Sequence, residues 1–232
     1  MKIDLEARPS YAMAVVTLDK GEKFLSEAGA MVAMSKGLAV DTGFQGAGSG
    51  AIVDWIKAAL AGLARKFLAG ESMFVNTFRA KKDGETLMLA PAMVGDIIHI
   101  EMDGKKKVIV QAEGYLASTP KVKVGLIWGG LSMLFSGEGA FFLNCRGKGE
   151  LLINSYGAIE KVEIDGGYVV DTGHVVAWEG DLKYKLKKAG GWKSAMLSGE
   201  GMVLEFKGKG TLWLQTRNMG SLIGWISPFF SG

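Results

Sequence analysis

The sequence predicts an all-β protein built of three internal repeats, and three observations carry that prediction. A Gly-Glu turn recurs: Ser136-Gly137-Glu138-Gly139, running through Phe142 to Gly147-Lys148-Gly149, returns as Ser198-Gly199-Glu200-Gly201, running through Phe206 to Gly208-Lys209-Gly210. The spacing is kept. The turns lie 62 residues apart (199 − 137), and so do Gly95 and Gly157 (157 − 95), which open matching strands. The runs between glycines also alternate with period two. Ile98, Ile100 and Met102 share one face, and His99, Glu101 and Asp103 share the other; Val162 and Ile164 match the first set, Lys161, Glu163 and Asp165 the second. The chain has 34 glycines and 4 prolines, and single glycines between short apolar runs read as turns and bulges of β-structure.

The first repeat, 7–89, is the divergent one. Val16-Thr17-Leu18-Asp19-Lys20-Gly21 matches the end of its first strand and Gly29-Ala30-Met31-Val32-Ala33 its second, while Ala69-Gly70-Glu71-Ser72 is a degenerate copy of the turn. From Gly29 to Gly70 is 41 residues, against 23 from Gly114 to Gly137 and 26 from Gly173 to Gly199, so this repeat carries 15 to 18 extra residues. They coincide with a helical pattern over 52–68, where Ile52, Ile56, Ala59, Leu60, Leu63 and Phe67 form an apolar stripe. The second repeat spans 90–152 and the third 153–217, with no linker between them, and an apolar tail, 218–232, follows. Each repeat is expected to be a small sandwich or barrel-like module of short antiparallel strands that buries its neighbour's apolar edge.

Composition bounds the function. A net charge of +3 gives no signal for nucleic acid or another polyanion. The lone cysteine, Cys145, excludes an internal disulfide. The charged N-terminus does not read as a signal peptide, and no apolar stretch reaches the ~20 residues that span a bilayer. These features lead to the expectation of a cytoplasmic protein, peripheral to a membrane at most.

Several stretches together resemble a known family: Arg65-Lys66-Phe67-Leu68-Ala69-Gly70-Glu71-Ser72, Leu89-Ala90-Pro91, Gly114-Tyr115-Leu116-Ala117, both Ser-Gly-Glu-Gly turns and Leu212-Trp213-Leu214-Gln215-Thr216-Arg217. The chain is similar over nearly its whole length to the β proteins that resemble the tryptophan RNA-binding attenuation protein (TRAP-like), whose eukaryotic relatives are linked to mitochondrial biogenesis and inner-membrane organisation. The resemblance implies three short double-stranded β-helix units per chain and a ring-like homo-oligomer, a trimer. It supplies no catalytic residue and no cofactor.

The residues themselves point to no enzyme. Glu71, Glu138 and Glu200 hold equivalent positions and could form a symmetric acidic site, but a repeated turn needs repeated turn residues, and the turn reading is preferred. Asp41-Thr42-Gly43 and Asp171-Thr172-Gly173 have the triplet of aspartic proteases, yet they occupy unequal repeat positions and are followed by Phe44 and His174 rather than a small residue. Gly46-Ala47-Gly48-Ser49-Gly50 lacks the lysine and the βαβ context of a phosphate loop. His99 falls on a polar strand face and is expected to be solvated. Cys145 follows Phe141-Phe142-Leu143 and reads as a packed thiol. No metal or cofactor site is expected.

What remains is apolar surface. Trp55 in the helical insertion, Trp128 and Phe135 in the second repeat, and Trp225, Phe229 and Phe230 in the tail are candidates for a subunit contact or a membrane-interface patch. The leading expectation is a non-catalytic scaffold or binding protein acting as a homo-oligomer, its partners being its own copies and a membrane surface or protein. A ligand-binding or enzymatic pocket in a β-barrel is the alternative, and RNA binding, by fold analogy alone, comes third.

Overall fold

A computed structural model describes residues 1–44, 74–127, 142–188 and 202–230. The helical pattern at 52–68, the three Gly-Glu turns with Glu71, Glu138 and Glu200, and Trp55, Trp128 and Phe135 lie outside these residues. The described chain is almost wholly β-structure, as the alternating pattern requires.

The strands form three arrays with one plan. In the middle array, β8 (Ile97–Gln111) and β11 (Phe142–Asn154) pair antiparallel along their length, and β9 (Tyr115–Ser118) and β10 (Val122–Ile127) pair with the other side of β11. In the last array, β12 (Ile159–Asp171) pairs with β14 (Met202–Gln215), and β13 (Val175–Lys188) takes the other side of β14. A three-residue 3-10 turn, 112–114 or 172–174, joins the first strand of each array to its second.

The first array follows the same plan with its strands broken. Its first strand is split into β2 (Met13–Leu18) and β3 (Lys23–Glu27), its second into β4 (Met31–Met34) and β5 (Leu38–Phe44), and its third into β6 (Phe74–Ala80) and β7 (Glu85–Leu89). β7 lies between β2 and β4, and β6 between β3 and β5. The breaks fall at Asp19-Lys20-Gly21-Glu22, Ser35-Lys36-Gly37 and Lys81-Lys82-Asp83-Gly84, where polar residues and glycine favour turns. β1 (Lys2–Glu6) adds to the outer side of β2.

Glycine keeps the third strand of each of the other two arrays unbroken, β11 and β14, although the middle array's second strand is divided into β9 and β10. Gly147 and Gly208 have φ of +119° and +122°, and a Cβ at either would stand 2.1 Å from a neighbouring backbone oxygen, that of Lys121 in the turn between β9 and β10 or that of Asp181 in β13. Only glycine satisfies both conditions.

The arrays join through backbone pairing. β3 pairs with β9 (Leu25↔Ser118, Ser26↔Ala117), and β8 pairs with β13 (Ile109↔Trp178, Val110↔Ala177). Each seam thus sets the first strand of one array beside the second strand of the next. The cores cross the seams as well. Ile97, Leu116 and Leu152 pack into the first array's core, and Ile109 and Phe142 into the last, where Phe142, Trp178 and Phe206 meet edge to face. At the array starts the Ala12 N–H donates to the Gly95 carbonyl and the Asp96 N–H to the Gly157 carbonyl, both at 3.0 Å.

The apolar tail contains a helix. Met219–Ile226 forms an α-helix, α1. Asn218 explains it: its Oδ1 accepts from the Ser221 N–H at 2.7 Å, an N-cap that ends the extended chain and starts the helix.

Candidate functional site

Two strand edges and the tail make the most unusual surface on the described chain. β12 ends the ten-stranded sheet, and β4 ends the four-stranded one. Among the described residues each therefore has a partner on one side only. Counted back from the 3-10 turn, Val169 of β12 corresponds to Ile109 of β8. Ile109 is buried under β13, whereas Val169 is 61% exposed. Tyr168 beside it is exposed too.

β4 presents the complementary case. A bulge after the first paired residue gives β4, β9 and β13 one register on their central strands, so Ala33 corresponds to Ala117 and Ala177, and Met34 to Ser118 and Trp178. All four residues of β9 are buried, as are Val175–Trp178 of β13. All four of β4, Met31-Val32-Ala33-Met34, are exposed, with Val32 at 57%. An open strand edge carrying apolar side chains invites another strand.

The tail adds a second apolar surface. Trp225, Phe229 and Phe230 are 69%, 75% and 81% exposed, and no residue of α1 is buried. Trp225 and Phe229 lie one turn apart with ring centroids at 5.8 Å. Eight residues that include two glycines do not make a stable helix alone. Besides the cap, α1 is tied down through Asn218 Nδ2, which donates to His174 Nε2 at 2.8 Å; His174 Nδ1 in turn donates to the Gln215 carbonyl at 2.7 Å. His174 is thus a structural anchor for the tail. No helix among the described residues is long and apolar enough to cross a membrane.

The remaining candidates stand apart. Asp41 is on β5 and Asp171 on β12, the two ends of the ten-stranded sheet order, and Asp171 Oδ1 accepts from the Gly173 N–H at 2.8 Å as a turn residue. His99 is exposed on the polar face, as expected, and its Nε2 lies 2.5 Å from Glu150 Oε2 on the paired strand. Cys145 is buried in the central core, and burial pushes its thiol up to about 12, which keeps it an unreactive packed side chain.

Sequence patterning missed Glu27. It ends β3 at the first seam, where burial, and then the neighbouring Glu113, raise its carboxyl to about 7. Nearby Tyr115 is buried with its hydroxyl 2.8 Å from Ser118 Oγ. A lone glutamate after an apolar strand carries no sequence sign that the next array will cover it. Because the folded value lies above the ordinary 4.5, the stabilising contribution of the neutral form is fully present below about pH 4.5 and is lost as pH rises through about 7. Glu27→Gln is therefore predicted to flatten the fall in stability across that window and to stabilise the chain by about 2–3 kcal/mol at pH 8. Urea titrations at pH 5 and pH 8 check this; a variant less stable than the parent at pH 8 contradicts it.

Comparison with known proteins places this architecture. Residues 3–217 match the family model described as Mitochondrial biogenesis AIM24. An uncharacterised protein of Streptococcus pyogenes serotype M6 is 28% identical, with 99% of this chain and 91% of that protein covered. The crystal structure of another Streptococcus pyogenes protein, solved by a structural genomics consortium, superposes with a TM-score of 0.78 at 26% identity, covering 98% of this chain and 99% of that one. The all-β body of residues 3–217 belongs to the AIM24 mitochondrial biogenesis family.

Proposed function

We propose that the chain is a non-catalytic scaffold: three copies of one β-unit, at 7–89, 90–152 and 153–217, that close head to tail with further chains into a ring and present the apolar tail to a membrane surface. The shared plan of the three arrays supports the repeat. The observation that carries the ring is the pair of open edges. β12 is a first strand lacking the neighbour that β3 and β8 have, and β4 is a second strand lacking the neighbour that β9 and β13 have. One chain's β12 and the next chain's β4 satisfy each other in the register of the internal seams, Val170 opposite Ala33 and Val169 opposite Met34. Such a contact is heterologous, so it closes into a ring or grows into a filament. Three chains is the number the family resemblance implies.

Light scattering at micromolar concentration tests the assembly. The expected mass is about 74 kDa, three times the 24.7 kDa chain. Val169→Lys and Met34→Lys each place a charge on one open edge and are predicted to yield folded monomers. A parent chain that runs as a monomer, or charged edges that leave the mass unchanged, overturns the ring.

The tail supports the membrane reading. From Asn218 to Gly232 there is no charged side chain, and Trp and Phe favour the lipid–water interface. In flotation with phosphatidylcholine vesicles the parent chain is predicted to rise with the lipid, and Trp225→Ser/Phe229→Ser to stay in the soluble fraction. Equal flotation of the two rejects this role for the tail and leaves a protein partner as its reading.

A further inference from the structure

Among the charges of the central array, one row lacks compensation. Lys107 of β8, Arg146 of β11 and Lys123 of β10 are directly opposite one another across three adjacent strands. Opposed residues share a face, and all three are exposed. Like charges in direct register repel one another, so a sheet normally alternates them. The last array does so one row away, where Lys209 sits between Asp165 and Asp181 with its Nζ 3.3 Å from Asp165 Oδ2. In the last array's own counterpart of the row, Gly167–Lys207–Lys183, a glycine replaces one cation and Glu205 answers Lys207 at 3.5 Å.

Nothing similar answers the central row. Among the described residues none of its three cations has an acidic partner, and Arg146 is held through its Nε, which donates to Asn144 Oδ1 at 3.0 Å. The nearest acid on the same strand, Asp103, is turned to the backbone: its Oδ1 accepts from the N–H groups of Lys105 and Lys106 at 2.8 and 3.0 Å. Lys106 is itself taken by Glu179, 3.3 Å away across the seam.

The row also borders a concavity. A cleft of about 430 Å³ is lined by Gly104, Lys105, Lys106, Lys107, Arg146 and Gly180. That volume lies within the usual range for small-ligand sites, ~300–1,000 Å³. Three cations with no acidic partner among the described residues, an arginine steadied through Nε, and a cleft beside them match one ligand chemistry, a multiply charged phosphate group.

We propose that this cleft binds a phosphate-bearing ligand, with Lys107 and Arg146 as its principal contacts and Lys105 and Lys123 contributing charge from either side. The bound anion replaces the missing acid of the row. The proposal stands apart from the ring and the tail, since all of these residues are remote in register from β4, β12 and α1.

Inorganic pyrophosphate titrated into the full chain at low salt, followed by calorimetry, tests it, alongside flotation of the Trp225→Ser/Phe229→Ser chain, which lacks the tail's own hold on lipid, with phosphatidylcholine vesicles with and without phosphatidic acid. Saturable pyrophosphate binding that weakens about ten-fold or more in Lys107→Gln/Arg146→Gln identifies a soluble phosphate ligand. Phosphatidic-acid-dependent flotation lost when the same two substitutions are added to the tail-substituted chain, without pyrophosphate binding, identifies a lipid headgroup. Since the variant removes a repulsion, its thermal midpoint without anion is expected to equal or exceed that of the parent. Should it fail to fold, Lys123→Gln is expected to weaken binding about three-fold by thinning the same row. No binding to either probe, or binding that these substitutions leave unchanged, overturns the proposal.

Discussion

Each seam between arrays holds the same two opposed residue pairs, Leu25↔Ser118 with Ser26↔Ala117, and Ile109↔Trp178 with Val110↔Ala177, and the second seam adds Val108↔Glu179. Both pairs stand at the same distance from the 3-10 turn, so one rule of addition operates twice. It determines which faces are buried. β9 and the start of β13 are buried because a first strand stands beside them, and β4 is exposed because none does. It also covers Glu27 and sets it near Glu113, so that burial first and then the neighbouring carboxyl raise it to about 7. The apolar cores follow the same rule, each borrowing side chains from an adjacent array.

The all-β class was legible because alternation reports a half-buried strand directly. Ile98, Ile100 and Met102 lie toward the core side, buried or nearly so, while His99, Glu101 and Asp103 lie outward. The strand breaks of the first array were less so. Asp19-Lys20-Gly21-Glu22 and Lys81-Lys82-Asp83-Gly84 are plain turn signals, but only pairing shows that β2 with β3, and β6 with β7, fill the place of one long strand elsewhere. The tail helix was hidden by Gly220 and Gly224, which argue against a helix, and is explained by a single cap at Asn218.

Of the candidate site, the apolar residues of the tail were visible as composition, and their exposure in α1 fits that reading. The edges were not visible. Met31-Val32-Ala33-Met34 and Tyr168-Val169-Val170 read as ordinary strand residues, and only their lack of a neighbour makes them distinctive. The cation row was hidden for a related reason. Lys107, Arg146 and Lys123 are far apart in sequence, and a net charge of +3 says nothing about which charges face one another. Periodicity reports the environment of one strand, whereas edges, seams and rows are properties of strand order.

The central claim is that β12 of one chain takes β4 of another in the register of the internal seams. A double-cysteine chain, Ala33→Cys/Val170→Cys, tests it directly, because opposed residues on paired strands have Cα atoms about 4.5–5.5 Å apart, within disulfide reach. The native thiol, Cys145, is buried and does not compete. Mild oxidation at micromolar concentration followed by non-reducing electrophoresis is predicted to give a closed covalent trimer, with neither single-cysteine chain linking. A double-cysteine chain that stays monomeric, or that links only within itself, would contradict the account.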